Sequence, residues 1–501
     1  MPGARSRQGC EECRKRRRKC NEQKPRCGQC SAFGRTCEYS LRLVLQKGQK
    51  SSDFRKKEDE TALVQSTIWP QRCLPNGIPL SPRYQRLLGH FTQDILASLS
   101  CHPSIHSNLG RGLVPAALES PQLMSACLAL SAAGFVSRGI LGLDGIEMVK
   151  ILGHLQSSGL ALLRSALAIA AGEGREVMDE TLLATCLIWC LVDVFTYRRF
   201  DGTLSSSWRI HLQGVRALLD RNGGHHRQFL TGTRTSTQTA MKHLYQLYLS
   251  LQTLPYIIST ASEVAIPGTT PPTNQPNPNT SPAIDGFLGY SDELLDVLHH
   301  IDQLARAPSR FETDVLLGKV QSMIARDAIA APPVILSPFY SSSTFPLSEI
   351  ESPALSSDRA RQEFILCHRI FQQATLIQLY RRLYHLSSQS SKIQAAVCTM
   401  QEMLSSLHTS DGGESMWVAM AMPVFTLGCE AFAPDQQAFV LDKMDRLEAC
   451  IRSLHIRIIR QALVDVWALR RGMGDDGEGR VCAGRLLGES SPIFPRLATL
   501  I

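Results

Sequence analysis

Six cysteines within 28 residues near the start of the chain constrain its fold more than any other feature. Two, six, six, two and six residues separate them, which makes two copies of Cys-x2-Cys-x6-Cys joined by a six-residue link: Cys10, Cys13, Cys20, Cys27, Cys30 and Cys37. A Cys-x2-Cys pair can hold a tetrahedral Zn²⁺ ion from one tight turn, and the third cysteine of each copy returns after a short helix. Six thiolates are two short of the eight ligands that two ions need. The spacing therefore predicts two zinc ions and two bridging thiolates.

Other uses of these cysteines account for less of the pattern. A single zinc ribbon needs four cysteines, and a redox Cys-x2-Cys pair needs two within a βαβ unit that the segment lacks. No apolar signal-peptide core precedes Cys10, so we expect neither secretion nor the oxidising compartment of a disulfide framework. Because the segment has almost no apolar side chains, we expect it to fold only with metal bound.

A run of six cations lies between Cys13 and Cys20: Arg14, Lys15, Arg16, Arg17, Arg18 and Lys19. Such a run could be a nuclear-import signal or a disordered tail, but neither needs rigid framing by metal ligands. Framed in this way, the run is predicted to be a rigid basic helix. It would present some side chains to phosphates and others to base edges, where arginine pairs with guanine.

The net charge of the 501-residue chain changes sign after the cysteine-rich segment. Residues 1–57 hold 17 Lys/Arg and five Asp/Glu, a net charge of +12, whereas the rest holds 36 Lys/Arg and 40 Asp/Glu, a net charge of −4. A small basic segment that suits a polyanion thus precedes a large, mildly acidic remainder. With 44% hydrophobic and 20% charged residues overall, the chain cannot be a disordered polymer, a collagen or a coiled-coil rod.

Residues 10–37 resemble the fungal Zn2Cys6 binuclear-cluster (zinc cluster) transcription factors. The matching pattern is Cys10-x2-Cys13-Arg14-x-Arg16-Arg17-x-Lys19-Cys20 followed by Lys24-Pro25-x-Cys27-x2-Cys30-x6-Cys37. The resemblance implies that Cys10 and Cys27 bridge the two zinc ions, and that Pro25 shapes the loop between the two halves.

The resemblance also implies that the segment reads CGG-like triplets in the major groove of double-stranded DNA. By position, Arg16 and Arg17 would contact bases. The phosphate contacts would come from four other cations: Arg14, Lys19, Lys24 and Arg26. Lys15 and Arg18 complete the predicted DNA-binding set.

The sequence after residue 82 is predicted to be helical almost throughout. Between Ser207, a suitable N-cap, and Gly223, a suitable stop, apolar residues form one stripe at i, i+4, i+7 and i+11: Trp208, Leu212, Val215 and Leu219. Three other stretches have a similar pattern: Glu363–Leu386, Ile393–Leu407 and Gln436–Leu469. The longest apolar runs, 124–136 and 182–195, are too short to span a bilayer and are predicted to be buried helices.

Three segments of this region resemble the fungal-specific transcription factor domain, the helical region that accompanies zinc clusters: 208–224, 379–383 and 422–431. The predicted fold is mainly α, with a small N-terminal two-zinc cluster domain and a large all-α helical regulatory domain. We place the DNA-binding domain at 1–40, a flexible linker without heptads at 41–82, the helical domain at 83–471 and a loose tail at 472–501. Proline-rich and serine-rich loops near 267–283 and 331–357 are expected to be disordered.

Several residues of the helical region have alternative interpretations. The histidine pairs 225–226 and 299–300 have no third ligand nearby, so surface positions are expected for them. Cys186 and Cys190 lie one helical turn apart in an apolar stretch, which favours buried packing over a redox sensor. We find no esterase, phosphate-loop, zinc-protease or dinucleotide motif, and expect no enzyme activity.

Two functions therefore compete. The first is a nuclear, sequence-specific DNA-binding regulator of RNA polymerase II transcription, an activator by family resemblance, with double-stranded DNA and the transcription machinery or co-regulators as partners. It could act as a homodimer or as a monomer on one triplet, and its helical domain could sense a ligand. The second is a zinc-storing or zinc-sensing thiolate protein. The cation run favours the first, because a zinc store gains nothing from positive charge beside its thiolates.

Overall fold

The computed structural model describes residues 11–16, 18, 20, 21, 23, 26–35, 37, 78, 81–138, 143–172, 180–196, 207–221, 236–253, 283–336, 358–407 and 416–472. The chain forms two compact units, Met1–Ile68 and Trp69–Ile501, which we call the head and the body. The predicted linker at 41–82 contains this division, but most of it lies outside the described residues. So do the histidine pair 225–226 and the loop 267–282.

The described part of the head contains two helices of five residues each, α1 (Glu11–Lys15) and α2 (Gly28–Ala32). Its buried centre is made of cysteines rather than of aliphatic side chains: Cys13, Cys20, Cys27 and Cys30, with Cys37 packed against them. A unit with such a centre has little hydrophobic energy to hold it together, which agrees with the prediction that metal supplies it.

The body is built from helices of nine to thirty residues, together with a few shorter turns. The first group runs α3 (Pro82–His90), a π-helical turn (Phe91–Ile95), α4 (Leu96–Ser98), α5 (Pro103–Glu119), α6 (Pro121–Ser137), α7 (Leu143–Gly172), α8 (Glu180–Phe195), α9 (Ser207–Arg221) and α10 (Ser236–Thr253). After it come β1 (Ile284–Asp285), α11 (Asp292–Arg306), α12 (Arg310–Ile329) and β2 (Val334–Ile335). The last group is α13 (Asp358–Arg382), α14 (Ser391–Ser406), a 3-10 turn (Met416–Ala419), α15 (Ala421–Cys429), α16 (Pro434–Ile451) and α17 (Leu454–Gly472).

The two long apolar runs lie in the centre of this body, as predicted. Nearly every residue of α6 from Leu123 to Gly134 is buried, and so is α8 from Leu182 to Val192. The helix α6 packs against both α7 and α8, and α9 lies on α8. Because α6 and α8 are surrounded on all sides, they do not need a polar face. None of the described helices is long and apolar enough to cross a membrane.

Four of the body helices have a serine as their N-cap residue. Each accepts a hydrogen bond from a backbone N–H of the first turn: Ser81 from Tyr84, Ser120 from Leu123, Ser291 from Leu294 and Ser309 from Glu312. Proline follows two of these caps, at Pro82 and Pro121, where its missing N–H costs nothing. These local signals position the helix starts.

The stretch 436–469, predicted to be helical, is divided between two helices, α16 and α17. Arg452 ends α16 in the left-handed region, with φ of 52°, and its N–H donates to the carbonyl oxygen of Glu448. A left-handed residue closes a helix whatever the apolar pattern beyond it.

The loop predicted at 331–357 begins with ordered structure. Val334–Ile335 pair in parallel with Ile284–Asp285, whereas residues 337–357 lie outside the described part of the chain. A Cβ atom at Gly286 would lie 2.8 Å from the carbonyl oxygen of Ile335, so only glycine fits beside this pairing. The described part of the body is thus mainly α with one two-residue strand pair.

His299 is half-buried rather than fully exposed as predicted. Its Nε2 atom is buried, and burial lowers the pKa of the ring to about 4. Its neighbour His300 bonds through Nδ1 to the carbonyl oxygen of Asp296 at 2.8 Å. Both residues are on α11, where adjacent side chains point about 100° apart, so the pair provides no shared ligand site.

Cys186 and Cys190 are buried, as predicted, and we expect neither to react with thiol reagents in the folded protein. They are 3% and 0% exposed, and burial raises the pKa of both thiols, that of Cys186 to about 12. Since only the thiolate reacts, a pKa near 12 leaves roughly one Cys186 in 10,000 reactive at pH 8.

Brief alkylation followed by peptide mass spectrometry tests this expectation, with the exposed Cys398 of the same chain as the reference. Cys398 should be modified under native conditions, and Cys186 and Cys190 only after denaturation. Native labelling of Cys186 at the rate of Cys398 would contradict the packing role and support a redox sensor.

Candidate metal centre and nucleic-acid interface

The cysteine sulfurs of the head converge on two adjacent points. One group consists of Cys13, Cys20 and Cys27, and the other of Cys27, Cys30 and Cys37; within each group all sulfurs lie within 4.8 Å of one another. Cys27 belongs to both groups and is fully buried. This is the arrangement expected of a thiolate that bridges two ions.

The sulfur distances fit zinc. Cys13 Sγ and Cys27 Sγ are 3.7 Å apart. A tetrahedron with Zn–S bonds of about 2.3 Å has sulfur–sulfur edges of about 3.8 Å. The spacing between these two sulfurs is therefore that of two ligands of one ion. Cys10 lies outside the described residues, so its role as the second bridging ligand stays a prediction.

Backbone N–H groups point at the sulfurs of the second group. Cys27 is the N-cap of α2, and its Sγ accepts from the N–H of Cys30 at 3.3 Å. The N–H of Cys27 in turn donates to Cys37 Sγ at 3.2 Å. Donors of this kind offset the negative charge of clustered thiolates and hold their orientation.

The two copies of the cysteine unit fold alike. The helix α1 begins at the residue after Cys10, and α2 begins at the residue after Cys27. After each helix, the backbone N–H of an arginine donates a hydrogen bond to the carbonyl oxygen of the cysteine five residues earlier. Arg18 donates to Cys13 at 3.0 Å, and Arg35 donates to Cys30 at 2.9 Å. Residues 17 apart in the chain thus occupy equivalent places, so the repeat in the sequence is also a repeat in structure.

Asn21 joins the link to the second helix, a role that the cysteine spacing does not predict. Its Oδ1 accepts from the N–H of Gly28 at 2.9 Å, and its Nδ2 donates to Gln23 Oε1 at 3.1 Å. A Cβ atom on residue 28 would lie 2.8 Å from Nδ2 of Asn21, so a larger residue there would displace the amide group of Asn21. The glycine after Cys27 was the available signal in the sequence.

The cations that the structure describes lie on the surface of the head. Lys15, Arg16, Arg18 and Arg26 are exposed. The prediction of a helix over the whole cation run is wrong: α1 ends at Lys15, and Arg16 and Arg18 lie beyond it. Arg16 directly follows α1, with 3.8 Å between its Nε and a carboxylate oxygen of Glu12, and its side chain is 49% exposed. The backbone of Arg14 is in α1, but its side chain lies outside the description, as do Arg17, Lys19 and Lys24.

Most of the positive charge lies on one copy of the repeat. The places of Lys15, Arg16 and Arg17 in the first copy are taken by Ala32, Phe33 and Gly34 in the second. Phe33 is 61% exposed, and the guanidinium of Arg35 lies 5.2 Å from the centre of its ring. The second copy keeps Arg35, and Arg26 of the link lies beside it, with its Nη2 donating to the carbonyl oxygen of Arg35 at 3.3 Å. The cations of the head are therefore denser on the α1 side than on the α2 side.

Comparison with known families identifies both units. Residues 8–44 match the fungal Zn(2)-Cys(6) binuclear cluster domain, and residues 86–482 match the fungal specific transcription factor domain. The chain belongs to the fungal zinc cluster transcription factors. In this family the cluster domain binds two zinc ions through six cysteines, and the two sulfur groups of the head are the described part of that site.

Two relatives share parts of this zinc cluster protein. A lysine biosynthesis regulatory protein of Saccharomyces cerevisiae is 47% identical over 53 residues, which is 11% of this chain and 7% of that protein. An aspercryptin biosynthesis cluster-specific transcription regulator of Emericella nidulans is 27% identical over 236 residues, 43% of this chain and 35% of the relative. The chain thus spans about a third or less of the length of the relatives it matches. No solved structure gives a significant match.

Proposed function

We propose that this zinc cluster protein binds CGG-like triplets in double-stranded DNA through the α1 side of its head and regulates RNA polymerase II transcription in the nucleus. The single observation that carries the proposal is the one-sided charge of the head. Exposed cations lie on one copy of a structural repeat whose other copy lacks them at the equivalent helix positions. A zinc store would have no reason to differ between its two halves.

The proposed contacts follow from the places of the side chains. The exposed Arg16 directly follows α1 and, with Arg17, is assigned to base edges, where a bidentate arginine–guanine pair distinguishes sequences. The exposed Lys15, Arg18 and Arg26 suit phosphates, which carry no sequence information. The cations outside the description are assigned to phosphates too: Arg14, Lys19 and Lys24.

The remainder of the chain is proposed to regulate what the head binds. The two relatives are named as regulators of biosynthesis, and a gene set of this kind is a reasonable target for this chain. We assign residues 1–40 to DNA binding, 41–82 to a linker, 83–471 to regulation and co-regulator contact, and 472–501 to a tail. Family members are nuclear in general, which supports the proposed location.

Selection from a randomised duplex pool with the full chain tests the proposal. We expect enrichment of a CGG-like triplet, and expect Arg16→Ala and Arg17→Ala each to weaken binding to it by about 5–150-fold, the equivalent of the 1–3 kcal/mol of one bidentate pair. Each variant should also relax the preference at one base position. Fluorescence anisotropy at fixed salt gives the affinities, because phosphate contacts change with ionic strength.

Arg35→Ala is the matched control, because Arg35 is the counterpart of Arg18 on the other copy of the repeat. It should retain the selected triplet. If no sequence is enriched, the zinc-storing alternative gains. If the triplet is enriched but survives both Arg16→Ala and Arg17→Ala unchanged, the assignment of base contacts is wrong.

A further inference from the structure

A cluster of buried charges in the body has an excess of positive charge. Arg381 and Arg470 are 5% and 3% exposed, and Glu430, also 3% exposed, is the carboxylate that the described contacts place with them. A guanidinium group keeps its proton inside a protein, so the two arginines carry a charge of +2 against at most −1. Because an unpaired buried charge is costly, this excess indicates that a further anion belongs in the cluster.

The carboxylate of Glu430 is already engaged away from Arg470. One of its oxygens lies 3.0 Å from Nε of Arg381, and the other accepts a hydrogen bond from the hydroxyl group of Ser388. No hydrogen bond joins the carboxylate to Arg470 in the part of the chain that the structure describes. Glu430 therefore attracts Arg470 only through its charge.

One edge of the Arg470 guanidinium has no partner. Its Nη1 donates to the carbonyl oxygen of Cys429, but Nε and Nη2 are buried and bond to none of the described residues. These two nitrogens lie on the same side of the planar group, and their N–H bonds are parallel. Parallel N–H donors of this kind bind both oxygens of one carboxylate. The unpaired atoms thus have the geometry of a carboxylate site.

The charge of the cluster distinguishes between the groups that could fill this edge. A water molecule would accept the two hydrogen bonds but would leave the excess charge in the core, where a low dielectric makes it costly. A phosphate group carries up to two negative charges at neutral pH and would make the cluster negative. A singly charged carboxylate satisfies both the donors and the charge.

We propose that the Nε and Nη2 edge of Arg470 binds the carboxylate group of a small monocarboxylic acid. The ring of Phe432 has its centre 5.6 Å from Cζ of Arg470 and is half-buried, so the edge is close to the surface and an apolar part of the acid would lie beside this ring. A bound acid would stabilise the body, because it pairs a charge that folding has buried. The inference goes beyond the proposed function, and its test uses no DNA.

Thermal unfolding of the full chain at pH 7.5 tests the site, with sodium acetate, sodium benzoate or sodium phosphate added and sodium chloride holding the ionic strength constant. We expect both carboxylates to raise the thermal midpoint of the body, by about 3 °C at 100 times the Kd for residues 86–482. Benzoate should act at a lower concentration than acetate, because its ring adds contact with Phe432. Phosphate should act like chloride.

Titration calorimetry with benzoate compares the variants. Arg470→Lys keeps the charge but loses the parallel N–H pair, so its Kd should rise about tenfold or more, the effect of losing one charged hydrogen bond. Arg471→Lys is the matched control, because Arg471 is the next residue of α17 and is exposed; it should bind benzoate like wild type. Phe432→Ala changes a half-buried ring and should remove most of the advantage of benzoate over acetate.

Three results would overturn the proposal. If acetate and benzoate stabilise wild type no more than chloride does, water is the partner of Arg470. If Arg470→Lys binds benzoate as tightly as Arg471→Lys, the carboxylate binds elsewhere. If phosphate stabilises the body as strongly as benzoate at equal concentration, the site recognises negative charge in general and not a carboxylate.

Discussion

Replacing Cys27 with serine is expected to deprive the head of both zinc ions, whereas Cys37→Ser should lose only one. Cys27 is the sulfur common to the two described groups, and Cys37 belongs to one of them. Binding of structural zinc contributes about 10–16 kcal/mol in small zinc domains, far more than a head with a cysteine centre can replace by packing. Cys27→Ser should therefore bind the selected DNA at least about 1,000-fold more weakly, with zinc content measured by plasma mass spectrometry falling to near zero.

Two controls accompany this prediction. Cys186→Ser removes a buried cysteine of the body and should leave zinc content and DNA affinity unchanged. The thermal midpoint of the body should be the same in Cys27→Ser as in wild type, because the head and the body are separate compact units. If Cys27→Ser retains as much zinc as Cys37→Ser, the two ions do not share Cys27. Cys10→Ser should behave like Cys27→Ser if Cys10 is the other bridging ligand.

The metal site could be predicted from the sequence because its geometry is local. Two residues between cysteines set a turn, six set a return, and a zinc cluster is the kind of site that needs both spacings twice. The described sulfurs converge as that spacing requires. Asn21 could not be found in this way, because its partner Gly28 is seven residues ahead and only the folded link brings them together.

The sequence was enough to predict that the body is helical, but not how its helices pack against one another. Apolar periodicity indicates α9, α13 and α14, but it cannot show that the ring of His299 is half-buried, since that depends on which helices pack against α11.

Buried charge is the feature of the body that no local pattern reveals. Arg381 near the end of α13 and Glu430 after α15 are 5% and 3% exposed, with 3.0 Å between Nε and a carboxylate oxygen. Ser388 donates from its hydroxyl to the other carboxylate oxygen. Arg470 on α17 is also buried, and its Nη1 donates to the carbonyl oxygen of Cys429. These residues are far apart in the chain, so the sequence alone could not group them.

Glu430→Ala is expected to destabilise the body by about 3–5 kcal/mol, because it removes the carboxylate from between two buried guanidinium groups that cannot lose their protons. Burial raises the pKa of Glu430, against the opposing attraction of Arg381 and Arg470, so the carboxylate is itself costly to bury and is held there by those partners. For residues 86–482, an unfolding entropy of about 2.1 cal/mol/K per residue converts this loss into a thermal midpoint about 4–6 °C lower. Differential scanning calorimetry measures the shift.

An exposed ion pair of the same region serves as the control for this prediction. Arg460 and Asp445 join α17 to α16 at 3.1 Å, with side chains 38% and 63% exposed. Water replaces the lost partner there, so Asp445→Ala should cost less than about 1 kcal/mol and shift the midpoint by about 1 °C or less. Replacing both members of the buried pair, Arg381→Met with Glu430→Leu, should recover part of the loss, since no charge from the pair is then left in the core. Equal shifts for Glu430→Ala and Asp445→Ala would show that the buried carboxylate does not hold α13, α15 and α17 together.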